Sequence, residues 1–220
     1  MIADERITDY INSLAAEITP ALLELEKTAC NNHVPIIKKE TQGLLRFLLQ
    51  LKQPKRILEV GTAIGFSALF MSEYTGPDCS VTTIEKVPMR LVEAEKNLNN
   101  RIFPHRDKIT LRKGEALEVL KELAAEKAVY DFIFLDAAKA QYMSFLPELM
   151  KLLVNGGLLV TDNVLQDGTV INSRYSITRR DRTIHSRMRD FLYTITHMEE
   201  LETVILPVGD GVALSCRKDK

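Results

Sequence analysis

The 220 residues, 45% hydrophobic and 27% charged, suit one globular domain with a sizeable core. A formal net charge of -1 excludes a general polyanion binder, so any nucleic-acid surface must be a local basic patch. Charges interrupt every apolar run before it reaches the length of a membrane span, and the scattered Cys30, Cys79 and Cys216 fit neither a disulfide framework nor a thiolate zinc site.

Near the start, Asp4, Glu5 and Asp9 stand where a signal peptide would be basic and then apolar, so a reducing cytoplasm is the expected compartment. Over residues 2–29, Ile7, Ile11, Leu14, Ile18, Leu22 and Leu25 recur at helical spacing, and Pro20 divides the stretch into two helices. A further helix over 40–51 follows Val34-Pro35-Ile36-Ile37. From Arg56 onward, short apolar runs at 57–60, 81–84, 109–111, 132–135 and 157–161 alternate with amphipathic helices at 66–73, 88–99, 115–124 and 140–152. Continuous apolar strands alternating with helices predict a parallel sheet covered on both faces. A charged helix at 179–196 then precedes strands at 202–207 and 211–216, joined by a tight turn at Val208-Gly209-Asp210-Gly211, which fits an antiparallel hairpin at the sheet edge. The expected organisation is a single domain, 1–220, with a helical cover at 1–52 and an α/β core at 53–220.

In an open parallel sheet, ligands bind beyond the carboxyl ends of the strands. The first strand runs into Gly61-Thr62-Ala63-Ile64-Gly65, which matches neither a dinucleotide fingerprint nor a triphosphate loop. Glu85 ends the second strand, where a carboxylate can accept from both ribose hydroxyls, and Gly114-Glu115-Ala116 follows the third, beside a place for adenine. Singly, the glycine turn is a common structural feature, and Glu85 also reads as a helix N-terminal charge before Pro88. Asp136 follows the fourth strand and Asp162-Asn163 the fifth, giving an oxygen-only set that suits Mg²⁺, with Mn²⁺ or Ca²⁺ second. Helix caps and a turn are the simpler readings of the same residues. Lys139, close after Asp136, is placed to act as a base near a dication, or is an exposed helix-start lysine. His33, His105, His185 and His197 show no ligand spacing and read as structural or surface residues.

At these residues the chain resembles the metal-dependent catechol and caffeoyl-CoA type O-methyltransferases. The resemblance runs from about Tyr10 to Cys216 and implies a Rossmann-like class I fold with a mostly parallel seven-stranded sheet, an antiparallel edge hairpin and extra N-terminal helices. It implies S-adenosylmethionine as cofactor, contacted by Glu59, Gly61, Thr62, Gly65, Ser67, Glu85, Glu115, Ala116 and Asp136, with Val34 in a segment that helps cover it. It further implies Asp136, Asp162 and Asn163 as Mg²⁺ ligands, Lys139 as catalytic base with Asp136 beside it, and a homodimer. Two departures are visible. Ala138 replaces a second acid of the family's Asp-Ala-Asp-Lys pattern, and Asp162-Asn163-Val164-Leu165-Gln166-Asp167-Gly168 lacks the aromatic that plant members carry there.

The 174–189 segment holds Arg174, Arg179, Arg180, Arg182, Arg187 and Arg189. Such a cluster suits phosphate contacts, although a solvated face paired with neighbouring acids is the usual role of a charged helix. The sequence here is similar to bacterial tRNA 5-hydroxyuridine methyltransferases, which makes tRNA the expected partner and Arg174, Arg179, Arg180 and Arg182 its candidate contacts. A small-molecule catechol methyltransferase is the alternative, and a binding protein that has lost catalysis is a third reading.

Overall fold

The computed structural model describes residues 4–179 and 181–219, so Arg180 lies outside the described residues. Seven strands form one sheet in the order β3-β2-β1-β4-β5-β7-β6. Strands β1 (Arg56–Val60), β2 (Ser80–Glu85), β3 (Ile109–Lys113), β4 (Tyr130–Leu135) and β5 (Leu153–Thr161) run parallel. The hairpin β6 (Leu201–Leu206) and β7 (Val212–Arg217) closes the edge, and β7 lies antiparallel to β5. The expected parallel sheet and edge hairpin are what the chain forms. β1 and β4 are neighbours, so the winding reverses between them, and this is where an open α/β sheet leaves a crevice.

The strands are apolar on both faces because helices cover both. Alternation along them sorts the core. Leu58, Val60, Ile133 and Leu135 face α6 (Ala116–Ala125), α7 (Tyr142–Leu152) and α8 (Arg182–His197), contributing to the same cluster as Leu120, Leu149 and Phe191. Ile57, Phe132, Phe134 and Val160 face α2 (Pro20–Asn31), α3 (Lys39–Lys52), α4 (Phe66–Glu73) and α5 (Pro88–Leu98), clustering with Leu22, Leu45, Phe70 and Leu98. Pro20 starts α2 rather than breaking a longer helix, because its missing N–H costs nothing in the first turn.

Several boundaries differ from the sequence expectation, among them the start of β5, at Leu153 rather than 157. Residues Lys139–Gln141 form a 3-10 turn before α7, and α8 begins at Arg182, after the turn Arg174–Ser176. Helix α1 (Glu5–Leu14) buries none of its residues, and Ile7, Ile11 and Leu14 lie exposed. No helix among the described residues is long and apolar enough to cross a membrane.

Candidate active site

Lateral hydrogen bonds hook the strand ends together along one rim. The N–H groups of Gly61 and Thr62 donate to the Ile84 carbonyl at 3.1 Å, Gly114 N–H to Glu85 O at 2.9 Å, Asp136 N–H to Val60 O at 3.0 Å and Asp162 N–H to Leu135 O at 3.0 Å. Each bond continues the ladder by one residue, so successive loops leave the sheet at one height and surround a cavity of about 840 Å³. Gly61 makes the closest approach. A Cβ there would sit 2.0 Å from the Asp136 carbonyl oxygen, and its φ of +112° is one that side-chain-bearing residues avoid. This glycine therefore lets β1 and β4 close at their ends, rather than only admitting a ligand.

On the β1–β3 side, acids are satisfied by the chain itself. Glu85 accepts from Ala63 N–H through Oε2 at 2.9 Å, and from Lys86 and Val87 N–H through Oε1 at 2.8 and 2.9 Å. It thus clamps the glycine loop to the start of α5 and also lines the cavity. Glu115 pairs with Lys86 Nζ at 2.8 Å and accepts from Gln141 Nε2 at 3.3 Å; the lysine hydrogen bond holds its carboxyl below the usual range. Thr62, Ser67 and Ala116 also line the cavity.

Glu59 and Val34 stand elsewhere. Strand alternation puts Glu59 on the α4 side, fully buried and away from the cavity lining. Thr83 Oγ1 donates to Glu59 Oε2, and since that hydroxyl has one proton, Thr62 Oγ1 must donate to Thr83 across their 2.6 Å contact. Burial pushes the Glu59 carboxyl up to about 7. It supports the glycine loop from beneath instead of lining the cavity. Gly65 caps the start of α4 close to Leu98 and is likewise behind the lining. Val34 borders a second groove beside α1, whereas Pro35 to Lys38 line both.

On the β4–β7 side, Asp136 and Asp162 form no ion pair among the described residues. Asp136, Lys139, Asp162 and Asn163 line the same cavity. Neither acid caps a helix, since the turns that follow them start at Ala138 and Leu165 without side-chain caps. Asp162 is buried, and its Oδ1 accepts from Asn163 N–H at 2.7 Å. Desolvation first, then the charge of Asp136, pushes its carboxyl up to about 7; desolvation pushes Asp136 up to about 6. Lys139 acts on both only through space and, among the described residues, neither acid forms an ion pair. Tyr142 is buried edge-on against Phe191 and donates to the Asp162 carbonyl at 3.2 Å. Among the described residues, no three carboxylate, imidazole or thiolate side chains converge as a metal site. The available set is two carboxylates plus the Asn163 amide. Two neighbouring acids that burial and mutual repulsion make hard to ionise fit a hard divalent cation, which would remove both penalties.

Sequence reasoning missed Asp210. It sits in the β6–β7 turn, lines the cavity, accepts from Asn163 Nδ2 at 3.2 Å, and pairs with Lys38. His185, by contrast, is a structural residue as expected, buried with Nε2 3.1 Å from the carbonyls of both Val170 and Asn172.

The O-methyltransferase family profile matches residues 12–218. A catechol O-methyltransferase from Niastella koreensis is 32% identical over 171 residues, covering 76% of each chain. Among solved structures, a candidate caffeoyl-CoA O-methyltransferase from Staphylococcus aureus superposes with a TM-score of 0.84 at 30% identity, covering 97% of this chain and 98% of its own. An O-methyltransferase from Bacillus cereus, solved in complex with SAH, shares the fold at a TM-score of 0.83 and 23% identity over 97% of both chains.

Proposed function

We propose a reaction for this chain, which belongs to the S-adenosylmethionine-dependent O-methyltransferase family of catechol and caffeoyl-CoA type: methylation of one oxygen of a vicinal oxygen pair at the Asp136–Asp162–Asn163 rim. The observation that carries it is the pair of desolvated carboxylates, without an ion-pair partner among the described residues, lining the same cavity as the glycine loop and Glu85. Glu85 takes the ribose hydroxyls, Glu115 and Ala116 flank the adenine, and the Gly61–Ser67 loop holds the remainder. When bound by Asp136, Asp162 and Asn163, a divalent cation supplies the charge that orients the two oxygens and favours loss of a hydroxyl proton. Lys139 Nζ receives that proton. Held by the glycine loop, Glu85 and Glu115, S-adenosylmethionine would supply the methyl group, with the thioether as leaving group for the electron pair of the broken carbon–sulfur bond. Positioning and electrostatics supply most of the acceleration.

For the substrate, the arginine segment favours tRNA. Among the described residues, Arg179, Arg182, Arg187 and Arg189 form no ion pair, although Asp181 and Asp190 stand among them. Arg182 Nε donates instead to Ile177 O at 3.3 Å, Arg187 Nη1 to Ala140 O at 3.0 Å and Arg189 Nη1 to Val170 O at 3.4 Å. Arg187 thereby places α8 against the Lys139–Gln141 turn, and its neighbours' charge stays available for phosphates. In 5-hydroxyuridine the 5-hydroxyl and the C4 oxygen form a vicinal pair, and an anticodon loop presents the base unpaired. The expected product is 5-methoxyuridine. Nucleosides from tRNA of cells with and without the gene test this, and unchanged 5-methoxyuridine rejects it. The second reading, a free catechol, is favoured by the 32% identity to the Niastella enzyme. It predicts that Arg179→Glu with Arg182→Glu leaves catechol turnover intact. The tRNA reading predicts weakened tRNA binding and a salt slope shallower by roughly one for each phosphate no longer neutralised.

A further inference from the structure

Resting on the metal reading above, we propose that Asp210 is a positioning residue: it holds the Asn163 amide by its nitrogen and is itself held by Lys38, so that the cation seat and the segment over the cofactor cavity form one linked unit.

The contacts account for both Asp210 oxygens. Oδ2 accepts from Asn163 Nδ2 at 3.2 Å, and Oδ1 pairs with Lys38 Nζ, which also reaches Asp167 Oδ1 at 3.3 Å. An acid so engaged, with its side chain only 15% exposed, is an outer partner of the seat rather than a further ligand. Its effect on Asn163 follows from the chemistry of an amide. A carboxamide free to flip presents its NH₂ donor as readily as its oxygen, and a donor repels a cation. With the nitrogen committed to Asp210, the oxygen is the end left for the metal.

The backbone holds the same arrangement. Asn163 has a φ of +59°, and the chain beyond it is tied to the hairpin turn by Val164 N–H to Gly211 O at 2.9 Å and Leu165 N–H to Asp210 O at 3.0 Å. Gly211 lies so close that a Cβ would meet Leu165 Cγ at 2.3 Å, so any side chain at this position would push the turn off the loop. Lys38 immediately precedes α3 and belongs to the Pro35–Lys38 segment that lines the cavity. The segment that lines the cavity thus carries the ammonium group paired with Asp210, and an Asp210 committed to Asn163 offers it a fixed acceptor. Linkage of this kind is reciprocal, so cofactor and cation should each tighten the other.

The experiment is Mn²⁺ binding measured by electron paramagnetic resonance of the free ion, with and without saturating S-adenosylhomocysteine. Wild type is expected to bind Mn²⁺, and to bind it more tightly with the thioether present. Asp210→Leu should weaken Mn²⁺ binding at least about tenfold, as loss of an outer partner typically does, with the more conservative Asp210→Asn between it and wild type. Lys38→Met should keep Mn²⁺ binding but lose the gain from S-adenosylhomocysteine. A thermal melt of each variant checks that it is folded. Folded variants that all match wild type within about twofold overturn the inference and leave the metal reading standing. Wild-type protein that takes no Mn²⁺ overturns the metal reading first, and this inference with it.

Discussion

The two halves of the rim treat their acids in opposite ways. On the β1–β3 side, Glu85 accepts three backbone N–H bonds and Glu115 is paired with Lys86, so charge there is stabilised before any ligand arrives. Across the crevice, Asp136 and Asp162 lie in the lining with raised pKa values and, among the described residues, without ion pairs. The first half is preorganised for a neutral, hydroxyl-rich group that needs acceptors in fixed places. The second holds two acids that burial makes hard to ionise, the arrangement from which the cation seat is proposed. One sheet thus carries a finished subsite and an unfinished one, separated by the reversal of winding between β1 and β4.

The strongest way to break this contrast is to remove an acid from the unfinished half. Asp162→Ala should cut methyl transfer by roughly 10³-fold while S-adenosylhomocysteine affinity without metal, by calorimetry, changes little. Equal loss of cofactor binding would show that the halves are not separable. Lys139→Met should lower kcat by about 10²-fold with KM nearly unchanged, as read from steady-state kinetics at saturating cation. On the finished side, Glu85→Gln keeps an oxygen acceptor but loses charge. It should weaken S-adenosylhomocysteine by about tenfold, or about 1.4 kcal/mol, and leave Mn²⁺ affinity unaltered.

The smallest effect sharpens the contrast through pH. Asp136 and Asp162 titrate at about 6 and 7 in the fold against an ordinary 3.8, so the folded chain holds more protons than the unfolded one in that window. Metal-free stability should therefore fall as pH rises from about 4 to about 7, then level. Asp162→Asn should flatten the fall, and Mg²⁺ should offset it at pH 8, as read from denaturation midpoints. Glu59, at about 7, adds to the same fall but sits under the loop, so Mg²⁺ should not reverse its share.

Much of this is legible from residue order. Apolar strand runs imply the sheet, and because parallel strands end on one side, Glu85, Asp136 and Asp162 fall on a single rim by sequence position alone. Side-chain direction at the last strand residues is less legible. Glu59 belongs to the same motif as Gly61, yet alternation turns it under the loop. Asp210 reads as a turn residue in the sequence because its role depends on β7 lying between β5 and β6, a pairing across distant segments. Lys38 likewise gains its meaning from meeting Asp167 and Asp210, brought to it by two separate loops.

The direct test is methyl transfer from labelled S-adenosylmethionine to tRNA bearing 5-hydroxyuridine and to a free catechol, each in excess chelator and then with Mg²⁺ restored. Activity on at least one acceptor that vanishes with chelator and returns with Mg²⁺ is the predicted result. Turnover that proceeds at the same rate through both conditions contradicts the account.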